Sequence, residues 1–270
     1  MKRRNFFKLG SLAALGTTLI NPIDTFAGTN NITSLNSTNK KAKNIIFMVS
    51  DGMSSGTLNM ANMFSNRILG KNSNWLQLYL DNKVSRGLMD MASASSIVTD
   101  SAAASSSWGG GARVKNGSLN ISPSGEENLP IWQKFKLKGK KAGCVTTVPI
   151  THATPAGFTV ALKSRNDQAA IAEDYLRIGY DVLLGGGQKY FSAEHRKDKK
   201  DLYTAFENKN YTVAKTKDAL KNIDKSKKIL GVFDIDALPY AIDRKQSPEL
   251  IKNIPTLAEM TEVAINQMKD

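Results

Sequence analysis

The chain has 270 residues, 41% of them apolar and 23% charged, enough for a packed core in one large domain or two small ones. It carries a formal net charge of +13, but its basic stretches, 134–141 and 196–228, are not interleaved with aromatics and bring no DNA- or RNA-binding motif, so they read as solvated surface and argue against a nucleic-acid partner. A single cysteine, Cys144, excludes an intrachain disulfide framework, and its setting in AGCVTTV reads as a buried small hydrophobe.

Residues 1–27 read as a targeting segment. Arg3-Arg4 precedes Phe6-Phe7, an apolar stretch runs from Leu9 to Ile20, and Thr25-Phe26-Ala27 ends in a small residue suited to cleavage. This resembles a twin-arginine export signal, so the expected partner is that export machinery and the expected location is periplasmic or secreted. An uncleaved anchor is the alternative, although the apolar run is short for a span. Residues 28–43, rich in Asn, Thr, Ser and Lys, read as a flexible linker, and the folded part is expected over 44–270.

The apolar run Ile45–Val49 predicts a fully buried strand ending at Asp51-Gly52, and Gly87–Met91 looks like a second strand. Residues 129–139 have helical spacing, with Ile131, Phe135 and Leu137 expected inward. Strands follow at 142–149, 180–184, 211–213 and 228–233, and helices at 166–178 and 202–206. The triplets Gly109–Gly111 and Gly185–Gly187 lack dinucleotide or phosphate-loop spacing and read as turn glycines, the second breaking its strand. Residues 188–250 are more polar and read as a candidate peripheral insertion. Residues 256–269 predict an amphipathic helix with Leu257, Met260, Ala264, Ile265 and Met268 on one face, opened by a Thr256/Glu259 capping box. Strands alternating with helices predict a doubly wound α/β layer fold.

Chemistry-bearing residues cluster at expected element ends. Asp51 follows a strand, where open α/β sheets place ligands, and also reads as a turn aspartate before glycine. Asp100-Ser101 precedes an Ala-rich stretch. Ser101 would put a hydroxyl among the free N–H groups of a helix start, and it equally reads as an ordinary capping residue. His152 and Thr154 follow the strand at 142–149, and a lone His there also reads as structural. Arg165 could clamp a phosphate with its planar fork, or serve as a plain surface charge.

Taken together and in order, Asp51-Gly52, Val98-Thr99-Asp100-Ser101-Ala102-Ala103, Thr151-His152-Ala153-Thr154-Pro155-Ala156 and Ser164-Arg165 resemble the alkaline phosphatases. The resemblance covers about residues 42–268 and is to the N-terminal part of a bacterial member. It implies a three-layer α/β/α sandwich with a mostly parallel central sheet, incomplete here. It also implies a metal-dependent phosphate monoester hydrolase working through a phosphoserine on Ser101. Asp51 would bridge a zinc and a magnesium, Thr154 would add a hydroxyl to the magnesium, and Ser101 would itself meet metal. His152 would ligate the third metal or order its water. Arg165 would clamp the phosphoryl oxygens, oriented by Asp100. A complete site would hold two zinc ions and one magnesium, in a protein that is commonly a homodimer.

The departure from the pattern is equally specific. The histidines and further carboxylates that complete the family's zinc and magnesium sites belong to its C-terminal half, and this chain stops before them. Zinc needs about four ligands with nitrogen or sulfur among them. His195, in a basic loop, matches no motif and is not recruited. The sequence therefore leaves two readings: a phosphomonoesterase that needs the C-terminal half, and an inactive remnant that binds phosphate or metal without turnover. A related phosphodiesterase or sulfatase is a narrower alternative, disfavoured by the context of Ser101 and Arg165.

Overall fold

The computed structural model describes residues 42–269. The expected export signal and nearly all of the expected linker lie outside the described residues. Met48–Asp270 forms one compact unit, and residues 42–47 adopt neither helix nor strand. Among the described residues no helix is long and apolar enough to cross a membrane.

Four strands, β1 (Gly143–Pro149), β2 (Val182–Gly186), β3 (Tyr211–Ala214) and β4 (Lys228–Val232), form an all-parallel sheet in the order β1-β2-β4-β3. Gly143 pairs with Val182, Val182 with Ile229, and Tyr211 with Lys228. β2 is buried along its whole length, as an unbroken apolar run in a parallel sheet must be. Its side chains alternate between two cores. Leu183 joins Cys144, Ile171, Tyr175 and Phe206 on one face, while Val182 and Leu184 join Leu220, Ile229, Met260 and Ala264 on the other. Burial pushes the Cys144 thiol up to about 12, so this cysteine behaves as the small hydrophobe its sequence setting suggested.

The helices are α1 (Ser55–Leu69), α2 (Asn74–Leu80), α3 (Ser101–Gly110), α4 (Ile131–Leu137), α5 (Ala153–Thr159), α6 (Gln168–Ile178), α7 (Leu202–Asn208), α8 (Lys217–Lys221), α9 (Ala241–Gln246), α10 (Pro248–Asn253) and α11 (Leu257–Met268). Local chemistry sets their ends. Asp167 caps the start of α6 and Gly179, at φ 79°, ends it. Thr256 and Glu259 form the expected capping box on α11. That helix buries Met260 and Ala264 but leaves Leu257 and Ile265 largely in solvent, so only part of its apolar stripe is covered.

Several expectations are corrected. Ile45–Val49 and Gly87–Met91 are not strands, and Ile45, Met48 and Leu88 are exposed. An apolar run becomes a strand only beside a neighbour that takes its N–H and C=O groups, and no described strand lies alongside either segment. Leu137 is exposed, because α4 turns Trp132 rather than its C-terminal leucine against the core. Residues 188–250 are integral to the sheet: they contain β3 and β4, and β4 lies between β2 and β3. Gly185 and Gly186 continue β2 instead of breaking it. A Cβ at Gly186 would lie 1.9 Å from the Asp236 carbonyl oxygen, so the glycine admits a neighbouring backbone. Gly109 and Gly110 lie inside α3, and only Gly111, at φ 76°, makes the turn.

Six of the described helices were not foreseen: α1, α2, α5, α8, α9 and α10. Ser54 caps α1 and Gly70 ends it at φ 64°, yet none of its residues is buried and Met60, Met63, Phe64 and Ile68 face solvent.

Candidate functional site

Ser101 is the first residue of α3. Asp100 precedes it in extended conformation and accepts the Ala103 N–H at 2.8 Å on Oδ1. This N-cap explains why the helix starts where it does, and the alanines that follow favour helix at little entropic cost. Asp100 Oδ2 does separate work. It accepts the Gly117 N–H at 3.0 Å and pairs with Arg165 Nη1 at 3.1 Å. Asn116 steadies the entry to the helix, its side chain accepting the Asp100 N–H and donating to the Val98 carbonyl.

His152 and Thr154 follow β1 at its carboxyl end. Pro155 is accommodated at the third position of α5, where no intrahelical N–H bond is needed. Arg165 is held in place by its backbone. Its N–H donates to the Gly117 carbonyl at 2.8 Å, and an antiparallel bridge joins Leu119 to Leu162 just before it. The segment 117–119 therefore fixes both Asp100 and Arg165.

Two linked sets of side chains result. In the first, the Ser101 hydroxyl donates to the Asp51 carboxylate, 3.0 and 3.1 Å from its two oxygens, and Thr154 Oγ1 donates to Asp51 Oδ2 at 2.7 Å. In the second, the Arg165 guanidinium is gripped from both sides, by Asp100 through Nη1 and by His152 Nε2 through Nη2 at 3.1 Å. Burial and the Arg165 charge push the His152 ring below its ordinary pKa, against the opposing pull of Asp51 and Asp236. A neutral ring accepts at Nε2, so its proton sits on Nδ1. One lone pair cannot serve two donors, and the 3.5 Å approach of the Thr154 N–H to Nδ1 is then a contact rather than a second accepted bond.

All six residues expected from the sequence thus meet in one place: Asp51, Asp100, Ser101, His152, Thr154 and Arg165. The hydroxyls of Ser101 and Thr154 gather on the Asp51 carboxylate, and these three side chains bring hard oxygen atoms of the type that suits magnesium. They offer no nitrogen or sulfur, and the free face of His152 is turned to Arg165. Among the described residues no three His, Cys, Asp or Glu side chains come together to hold a metal ion. The residues present therefore fit part of a magnesium site and do not fit a zinc site. His195 is exposed in its loop and plays no part. Asn116 and Gly117 are site-building residues that the sequence reading missed; an Asn-Gly pair signals a turn, and nothing local says what the turn will hold.

Residues 42–270 match the family model described as alkaline phosphatase. Among curated proteins, alkaline phosphatase 3 of Bacillus subtilis is 39% identical over 178 residues, covering 63% of this chain and 36% of its own length. Among solved structures, the alkaline phosphatase of Thermus thermophilus superposes with a TM-score of 0.75 at 36% identity, over 82% of this chain and 45% of that one. A mutant of the alkaline phosphatase from the Antarctic bacterium TAB5, solved with Mg bound in its M3 site, shares the fold at 24% identity and a TM-score of 0.63, over 78% of this chain and 57% of that one. The chain therefore spans between about a third and a little over half of the length of these relatives.

Proposed function

This chain belongs to the alkaline phosphatase family, and we propose that it supplies the nucleophile and phosphate-holding part of a phosphate monoester hydrolase. The observation that carries this reading is the convergence of Ser101 with Asp51 and Thr154, beside an Arg165 held on both sides. The Ser101 hydroxyl points its proton at Asp51, which leaves its lone pairs for an incoming phosphorus. The phosphoryl group passes from the substrate oxygen to Ser101 Oγ, the P–O bond to the leaving alcohol breaks, and water later releases phosphate from the serine. Arg165 binds the dispersed negative charge of the phosphoryl oxygens, and Asp100 and His152 fix the plane of its guanidinium.

Asp51, Thr154 and Ser101 would hold magnesium, which would supply local positive charge to the phosphoryl group and its surroundings. The zinc chemistry implied by the family needs nitrogen ligands that these residues do not provide, so turnover by this reading draws on residues homologous to the rest of the family's length. Export through the twin-arginine signal to the periplasm or beyond, and a homodimeric assembly, complete the proposal.

The test is hydrolysis of p-nitrophenyl phosphate by the mature chain with zinc and magnesium added, beside Ser101→Ala. Turnover in the wild type alone, with phosphate trapped on Ser101 in an acid quench, supports catalysis by this chain. Binding of inorganic phosphate without turnover in either protein favours the second reading, a non-catalytic binding fragment, which the lack of a nitrogen-rich metal cluster among the described residues supports.

A further inference from the structure

The two helices that carry Ser101 and Thr154 touch backbone to backbone. A Cβ at Gly109 of α3 would lie 2.2 Å from the Gly157 carbonyl oxygen of α5, and a Cβ at Gly157 would lie 2.0 Å from Ser105 Oγ. The buried Ser105 hydroxyl donates across this contact to the Ala153 carbonyl at 2.9 Å. Ser105 sits one turn below Ser101, about 6 Å along the helix, and Ala153 immediately precedes Thr154. At the far end of α5, the fully buried Asn120 donates through Nδ2 to the Gly157 and Val160 carbonyls at 2.8 and 2.7 Å. Its own N–H donates to Ser106 Oγ of α3 at 2.9 Å. The crossing is therefore pinned at both ends.

We infer that this crossing sets the spacing of the two hydroxyls on Asp51, with Ser105 and Asn120 as positioning residues. The inference rests on the reading of Asp51, Ser101 and Thr154 as one site. Ser105 touches neither phosphate nor metal in that reading. It ties the turn beneath the nucleophile to the residue before Thr154, so that the two helix starts move as a unit. Glycine at 109 and 157 brings the backbones near enough for so short a side chain to span them. Groups that hold ligands in orientation without touching the ion commonly change metal affinity by about 10–100-fold when removed.

The test compares the mature wild-type chain with Ser105→Ala and with Ser107→Ala. Ser107 is a matched control: it is buried in the same helix, but its hydroxyl donates within α3, to the Ala103 carbonyl. Crystal structures read the Ser101 Oγ to Thr154 Oγ1 separation, and calorimetric titration with magnesium chloride reads affinity. Ser105→Ala is expected to change the separation by about 0.5 Å or more and to weaken magnesium about tenfold, while Ser107→Ala changes neither. An unchanged separation in Ser105→Ala overturns the inference, as does an equal change in both variants. If the wild type takes up no magnesium while the separation still shifts in Ser105→Ala alone, the positioning role stands and the magnesium part of the proposed function falls.

Discussion

Removal of the Asp100 carboxylate separates its structural task from its electrostatic one. Asp100→Ala takes away three acceptor contacts together: the cap on Ala103 at 2.8 Å, the bond from Gly117 at 3.0 Å and the pair with Arg165 at 3.1 Å. A lost N-cap costs about 1 kcal/mol. The part-buried Gly117 N–H loses its partner at about 1 kcal/mol. The ion pair adds no more than about 1 kcal/mol, because its side chains keep 23% and 27% of their exposure. Asp100→Ala is therefore expected to lose about 2–3 kcal/mol, and at ~2–4 °C per kcal/mol for a domain of this size Tm falls by roughly 4–12 °C. Asp100→Asn keeps the capping oxygen but points an amide N–H2 at two donors, so it loses the other two contacts and retains about 1 kcal/mol relative to alanine. Urea unfolding followed by far-UV circular dichroism measures both, and phosphate binding by the same proteins should weaken in each because Arg165 loses its anchor. Equal stability of the two variants would refute the division of labour between Oδ1 and Oδ2.

Four further outcomes are expected. Arg196 is buried and donates to Glu173, Asp198 and the carbonyls of Ala169 and Tyr190, so Arg196→Met should cost about 3 kcal/mol in urea unfolding, the low end for a broken buried pair because both carboxylates keep some solvent. The hydrogen bond from Arg196 holds the Asp198 carboxyl down at about 2, against an ordinary value of 3.8, so this contribution is present above pH 3.8 and is lost as pH falls toward 2; the Arg196→Met protein should lack that acid-dependent loss, and an unchanged acid profile would count against the pairing. Gly157→Ala forces a methyl group against Ser105 and should destabilise by about 1–3 kcal/mol, whereas the modest gain typical of an unstrained Gly→Ala change would show that the helices are not in contact. The exposed Met60, Met63, Phe64 and Ile68 of α1 should bind an apolar fluorescent dye, and Met63→Lys with Phe64→Glu should reduce that signal; equal fluorescence would mean that the face is covered in solution.

The parts of the fold that were legible in the sequence are those marked within their own segment, by an apolar run or by capping residues at the element's ends. The strands at 143–149, 182–186 and 228–232 are short apolar runs that pair with one another, and α6 and α11 carry their own caps in Asp167, Gly179, Thr256 and Glu259. The run at 45–49 has the same apolar character, yet among the described residues no strand lies beside it, because pairing belongs to the neighbour as much as to the segment. α1 escaped notice for a related reason: its helical chemistry is sound, but its apolar residues have nothing to face among the described residues.

The same division runs through the site. Asp51, Asp100, Ser101, His152, Thr154 and Arg165 were recognised as a set because motif order along the chain survives divergence. Their chemical types left each of them an ordinary alternative as a cap, a turn residue, a structural histidine or a surface charge, and the roles of nucleophile, phosphate fork and metal ligand were implied by the family resemblance. Only the tertiary structure decided who holds whom: that Asp100 serves a helix and an arginine with different oxygens, that His152 faces Arg165, and that Ser105, Asn116, Gly117 and Asn120 brace the arrangement. Those contacts join residues from 16 to 65 positions apart in most cases. Such distances carry no periodicity or spacing signal, since a hydrogen bond between distant residues exists only once packing has brought its two ends within 3 Å or so.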